Sequence, residues 1–143
     1  MKLPTTTFKD LYEAEACTES YRRLAKALGG LTKYGRTTPI TCLQILDACG
    51  LEDLDWALEE AYMEGDLKTE QKLEAQVRKA LNQAYDANDN AWELYYTELN
   101  ETTGDTETDA AYYQAAKNAK VAEAKELKKQ TVKLRKYLVK HGG

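Results

Sequence analysis

Residues 66–101 read DLKTEQKLEAQVRKALNQAYDANDNAWELYYTELNE, and the spacing of apolar side chains in this stretch decides the fold. Leu73, Val77, Ala80, Leu81, Ala84, Ala91, Trp92, Tyr95 and Leu99 recur at intervals of three and four, the repeat that gathers residues on one face of an α-helix. The pattern predicts one long helix or two nearly collinear ones. The polar run at 86–90, Asp86-Ala-Asn-Asp-Asn90, is the expected bend, because Asp and Asn compete with the helical backbone for hydrogen bonds. ETTGDTETD at 101–109 reads as a turn centred on Gly104. Thr108 or Asp109 caps a last helix, with Tyr112, Ala115, Ala116, Ala119, Ala122, Leu127, Thr131, Leu134 and Leu138 near one face. Two long helices joined by a short turn must lie antiparallel to bury their stripes.

The residues before this hairpin predict four shorter helices. Phe8, Leu11 and Tyr12 follow three threonines at 5–7, one of which serves as N-cap. Tyr21, Leu24, Ala25 and Leu28 share a face after Thr18, and Gly29-Gly30 ends that helix. LTKYGRTT at 31–38 reads as a loop. Thr38-Pro39 offers a hydroxyl at N-cap and a proline at the first helical position, predicting a helix that runs to Gly50. Glu52 or Asp53 then opens another helix, carried by Leu54, Trp56, Ala57, Leu58 and Ala61 towards Gly65. No segment alternates with period two, so no sheet of consequence is expected. The expectation is an all-α chain, with short N-terminal helices packed against a long antiparallel helical hairpin. It forms a single helical domain over 1–143, divided into a short-helix subdomain at 1–65 and the hairpin at 66–143.

Charge is distributed unevenly. Residues 1–46 carry 7 basic and 4 acidic side chains, residues 47–109 carry 4 and 18, and residues 110–143 carry 9 and 2. A net charge of −4 therefore conceals an acidic middle and a basic tail. An antiparallel hairpin would bring the tail beside acids of residues 66–93, so part of this asymmetry is expected to be internal. No run approaches the ~18 apolar residues of a membrane span. MKLPTTTFKD lacks an apolar signal core, so no secretory signal is expected. Three cysteines, an odd number, read as reduced thiols of a cytoplasmic protein, or of a host cell's cytoplasm if the chain is phage-encoded.

The side-chain inventory argues against catalysis. Cys42 and Cys49 lie two helical turns apart, about 10 Å, too far for a disulfide. The single histidine, His141, is distant in sequence from both, which removes the usual base for a nucleophilic thiol and leaves a zinc site short of ligands. Both cysteines and Trp56 read as core. Asp47, Glu52, Asp53, Asp55, Glu59 and Glu60 are spaced as solvated faces rather than as paired catalytic carboxyls. Residues 105–109, with acids at every second position, lack the twelve-residue calcium-loop register. Neither an enzyme nor a cofactor or metal is expected.

Two surfaces invite partners. Folding back near Gly104 brings Trp92, Tyr95 and Tyr96 opposite Tyr112 and Tyr113. Adjacent tyrosines cannot both enter a two-helix seam, so some rings must face outwards or meet the N-terminal helices. Glu93, Glu98, Glu101, Asp105, Glu107 and Asp109 rim this group. Together they predict a recognition patch for a protein with a basic surface, because Tyr and Trp dominate binding hot spots. The alternative is nucleic acid, met by Lys125, Lys128, Lys129, Lys133, Arg135, Lys136 and Lys140 of the last helix through counterion release. A sequence pI near 5.2 weighs against that alternative. Self-association into a homo-oligomer stays open, and no membrane partner is expected.

LYEAEAC, from Leu11 to Cys17, and the Leu-x-Ile-Leu…Gly-Leu-x-Asp-x-x-Trp-Ala-Leu element from Leu43 to Leu58 carry a resemblance. Over the first half, the chain resembles a loose group of small bacterial and phage helical proteins, some labelled immunity proteins. The resemblance implies a small non-enzymatic helical protein from a conflict setting. Taken with the acidic aromatic patch, this suggests a phage or mobile-element inhibitor or immunity factor. It would be anti-CRISPR-like, masking the basic surface of a partner such as a nucleic-acid-binding defence complex.

Overall fold

The computed structural model describes residues 2–101 and 108–143, with only the backbone at 100 and 101. The chain is all-α apart from one two-residue ladder. Its elements are β1 (Thr5–Thr6), α1 (Phe8–Glu13), α2 (Thr18–Ala27), α3 (Leu31–Tyr34), β2 (Ile40–Thr41), α4 (Cys42–Cys49), α5 (Leu51–Glu60), α6 (Leu67–Glu101) and α7 (Asp109–Lys140). The two long helices pack against each other as a hairpin. The turn expected at Gly104 lies outside the described residues, as do Asp105, Glu107 and the side chain of Glu101.

Contacts divide the chain into two compact units, one of residues 1–79 with 131–143 and one of residues 80–130. In the first, β1 pairs antiparallel with β2, Thr5 opposite Thr41 and Thr6 opposite Ile40. On its other side Thr5 exchanges both backbone hydrogen bonds with Glu64, and Thr6 Oγ1 donates to the Tyr62 carbonyl at 2.9 Å. The N-terminal segment therefore lies between two distant stretches of chain and satisfies the backbone of both. Phe8, Ile40, Leu54, Leu73, Val77 and Leu138 are fully buried around it. At about 1.5–3 kcal/mol for each large aliphatic or aromatic side chain removed from water, they supply most of what holds this unit together.

The sequence anticipates α1 and α2 well. Thr7 caps α1, accepting from Asp10 N at 3.1 Å. The end of α2 is closed by Gly30 N donating to Ala25 O and Gly29 N to Lys26 O, the paired bonds of a Schellman motif. Residues 31–34, expected as loop, form the single turn α3.

The start of α4 differs from expectation. Thr38 and Pro39 do not open it: Thr38 Oγ1 donates to Tyr34 O at 2.5 Å, and Pro39 O accepts from the Tyr34 hydroxyl at 2.6 Å. Thr41 is the N-cap, within a capping box in which Gln44 N donates to Thr41 Oγ1 and Thr41 N donates to Gln44 Oε1. Two helix-end donors are satisfied at Thr41. Starting at Pro39 would instead pull Ile40 out of its ladder and its buried site.

Gly50 joins α4 directly to α5, serving as C-cap of one and N-cap of the other at φ 98° and ψ 178°. An L side chain is strained there. In consequence α5 opens at Leu51, one or two residues before the acids expected to open it, and ends at Glu60, short of Gly65. Glu52 and Asp53 still occupy its first turn. The anticipated bend at 86–90 does not interrupt α6, which is continuous over 35 residues.

Cys42 is buried, its thiol donates to Pro4 O at 3.4 Å, and burial pushes its pKa up to about 12. It is a core residue, as expected. Thr41→Ala should cost about 1 kcal/mol by urea denaturation, whereas Thr38→Ala, which leaves the capping box intact, should cost about half of that or less. Gly50→Ala should cost about 1–3 kcal/mol through backbone strain.

Candidate functional site

The aromatic surface is built within residues 80–130. Along α6 the burial pattern carries the stripe forward through Ala84, Asn88, Ala91, Trp92, Tyr95 and Leu99, each buried or half-buried. In the first half of α7, Ala115 and Ala119 are buried, with Ala116 and Ala122 half-buried. Across from these alanines, Trp92 of α6 meets Tyr112 of α7 at 5.4 Å between ring centroids. Thr108 begins α7 by accepting from Ala111 N at 3.1 Å, the N-cap geometry expected of it.

Trp92 is the centre of the cluster. Its ring stacks on Tyr96 at 6.0 Å with an interplanar angle of 21°. It meets Tyr95 edge-on at 6.1 Å and lies 5.4 Å from Tyr112 across the seam. Tyr95 meets Tyr96 at 5.0 Å, and Tyr112 meets Tyr113 at 6.0 Å, both edge-on. Five rings named from the sequence thus form one connected set. Such pairs contribute about 0.5–1.5 kcal/mol each beyond area burial.

Three of the five rings stand exposed among the described residues. Tyr96 is 42 %, Tyr112 43 % and Tyr113 70 % exposed, while Trp92 and Tyr95 are half-buried. Beside it, an open groove of about 340 Å³ runs between α6 and α7, lined by Leu94, Tyr95 and Glu98 on one side and Gln114, Ala115 and Asn118 on the other. Leu94, 60 % exposed, extends the apolar surface in a way the sequence reading passed over. The signal was available: Leu94 falls outside the seam stripe yet is large and apolar. Glu93, Glu98 and Asp109 are exposed, as a rim requires. Glu101, Asp105 and Glu107 lie outside the described side chains.

The basic residues of α7 singled out from the sequence, Lys125, Lys128, Lys129, Lys133, Arg135, Lys136 and Lys140, are all exposed. The expected ion pairs with acids of residues 66–93 do not form among the described residues. Arg135 turns instead to Asp47 on α4, donating at 2.8 and 3.2 Å in a two-pronged pair. That hydrogen bond raises its pKa above the ordinary guanidinium value. Arg78 on α6 pairs with Asp55 and Glu59 of α5. Residues 135 and 78 therefore join α7 and α6 to the short helices, through acids the sequence reading placed on solvated faces.

Among the described residues, no group of three or more His, Cys, Asp or Glu side chains is arranged to hold a metal ion. No helix is long and apolar enough to cross a membrane among the described residues. Comparison with protein-family models, curated proteins and solved structures finds no match.

The geometry separates two kinds of ring. Tyr113→Ala should change unfolding free energy by no more than about 0.5 kcal/mol, as for an exposed side chain. Trp92→Ala should cost about 2 kcal/mol or more, since it removes three ring contacts and opens the seam. Chemical denaturation followed by far-ultraviolet circular dichroism distinguishes the two.

Proposed function

We propose that this chain is a non-enzymatic protein-binding module whose hairpin captures a partner with a basic surface. The observation that carries this reading is the connected aromatic set with three of its rings standing exposed. Exposed apolar area of this kind is uncommon on a chain that binds nothing. Rings already packed on one another lose little conformational freedom when a partner closes over them, which is why Tyr and Trp concentrate in hot spots.

Glu93, Glu98 and Asp109 select the partner's charge. Exposed rim acids act mainly by steering encounter and repelling acidic surfaces, and contribute little to final affinity. A partner whose natural ligand is itself acidic, such as a nucleic-acid-binding surface, matches both features: positive charge for the rim and stacking positions for the rings. On this reading the chain is an inhibitor or immunity factor that occupies such a surface stoichiometrically.

A second reading is supported by the exposure of the α7 cations. Six lysines without an ion partner among the described residues could instead track a phosphate backbone. The chain would then be a nucleic-acid-associated accessory protein.

One experiment separates them. Immobilised chain captures partners from extract of the native host, beside two variants: Tyr96→Ala with Tyr113→Ala, and Lys128→Glu with Lys133→Glu. The first reading expects a basic protein, retained in nuclease-treated extract, whose capture falls about tenfold or more in the tyrosine variant and is unchanged in the lysine variant. Nuclease-sensitive retention, lost in the lysine variant and falling steeply with salt, supports the second reading and overturns the first.

A further inference from the structure

A cavity of about 290 Å³ lies among α1, α2, α4 and α5, and no residue of the aromatic set lines it. Its buried lining is apolar: Leu11, Leu24, Ile45 and Ala57. Tyr21 and Trp56 flank these residues, both half-buried, so each ring presents part of its surface to the opening. Trp56 is therefore not wholly committed to the core, as its place on α5 suggested.

The polar lining is of one sign. Glu52 and Asp53, from the first turn of α5, line the cavity, as do Cys17 and Cys49. None of the residues lining it is Lys, Arg or His. The nearby cation is Arg23, whose field is felt at Cys49, and it is already paired with Glu19 at 3.1 Å. Every ionisable group on the wall is thus neutral or negative, whichever protonation state it takes.

Position separates the two thiols. Cys49 is half-buried, donates to Ser20 O at 3.5 Å, and burial raises its pKa. Cys17 is exposed at the mouth, and the backbone N–H groups of Ser20 and Glu19 at the start of α2 lower its pKa. It is the thiol that a reagent in solution meets first, and a ligand filling the mouth would shield it.

An apolar interior, two aromatic walls and an acidic edge are the elements that recognise an organic cation. We propose that this cavity binds a small arylalkyl- or alkylammonium ligand. The hydrocarbon lies against Leu24 and Ile45, and the ammonium group is held between the ring faces and the carboxylates of Asp53 and Glu52. A carboxylate ligand would face a wall with no positive charge to meet it. A neutral ligand would gain only the apolar contacts.

Three probes of one shape test this: 2-phenylethylammonium, 2-phenylethanol and phenylacetate. They are titrated into a Trp92→Phe variant, in which Trp56 is the sole tryptophan, and emission is read alongside the rate of Cys17 alkylation by iodoacetamide. The ammonium should bind about fivefold or more tightly than the alcohol, phenylacetate should bind weakest, and Cys17 alkylation should slow as the cavity fills. Glu52→Gln with Asp53→Asn should abolish the preference for the cation while leaving alcohol binding in place, which reports that the cavity is intact. Equal binding of all three probes, tighter binding of phenylacetate, or an alkylation rate unmoved at saturating ammonium overturns the proposal. If the double variant loses alcohol binding as well, Glu52→Gln alone decides: a lower ratio of cation to alcohol affinity supports the site, and an unchanged ratio overturns it.

Discussion

Leu73 and Val77, early in α6, and Leu138, late in α7, are all completely buried in the unit that holds the short helices. That unit is assembled from both ends of the chain, and closing so long a loop has an entropic cost that must be offset locally. The polar ties are modest. Arg135 and Asp47 form a well-aligned pair, yet both are about half exposed, so solvent screening leaves such a bridge worth little. Leu43 N donates to Gly143 O at 3.2 Å, one further tie of the net worth usual for a hydrogen bond. Burying the three aliphatic side chains is worth several times as much. Apolar burial at the two ends of the hairpin is thus what keeps the α4 pair and the N-terminal strand in register, and the polar bonds choose among ways of achieving it.

How far the sequence discloses this follows from the range of each interaction. The hairpin is legible because its signal is local and repeated: Leu73, Val77, Ala80 and Ala84 recur with helical spacing, and each repeat reinforces the same face. The ends of α1 and α2 are legible for the same reason, since Thr7 and Gly29-Gly30 act within a turn of themselves. The start of α4 is not. Thr38-Pro39 and Thr41-x-x-Gln44 both qualify as local starts, and the choice is made by Ile40, which must pair with Thr6 from the far side of the core. A two-residue ladder has no period to detect, so β1 and β2 are invisible until the elements that bracket them are in place. Of the candidate site, the meeting of the five rings could be read from an antiparallel register, whereas their exposure depends on what covers them and could not.

The charges show where a one-dimensional reading goes astray. An acidic middle facing a basic tail suggests neutralisation along the hairpin. Yet Arg78 pairs with Asp55 and Glu59, and Arg135 with Asp47, and these pairs run from the hairpin to α4 and α5. Asp55 and Glu59 are one helical turn apart, so one guanidinium reaches both, and Arg suits this better than Lys because its donors fork in a plane. One Asp55 oxygen remains buried without a hydrogen bond, although Arg78 Nε lies 3.4 Å away. The contact is therefore electrostatic rather than a directed bond. The lysines of α7 need no partner to be soluble, and their mutual repulsion is screened within about 8–10 Å at physiological salt.

The same accounting bears on the rings. Successive residues of a helix are turned by about 100°, so Tyr95 and Tyr96 cannot share the seam, and neither can Tyr112 and Tyr113. A purely structural solution would bury one of each pair and replace the other with a polar residue. On α6 the first half of that solution is seen, with Tyr95 half-buried beside Trp92. On α7 it is not: both Tyr112 and Tyr113 stand out. Stability alone gives no reason to keep an aromatic ring at Tyr113, where 70 % of the side chain meets water and a charged residue would serve as well. The contact with Tyr112 aligns the two rings as one apolar surface beside that of Trp92 and Tyr96. Such packing lowers the ordering cost of binding and adds little to folding, and the proposed capture of a partner rests on that difference.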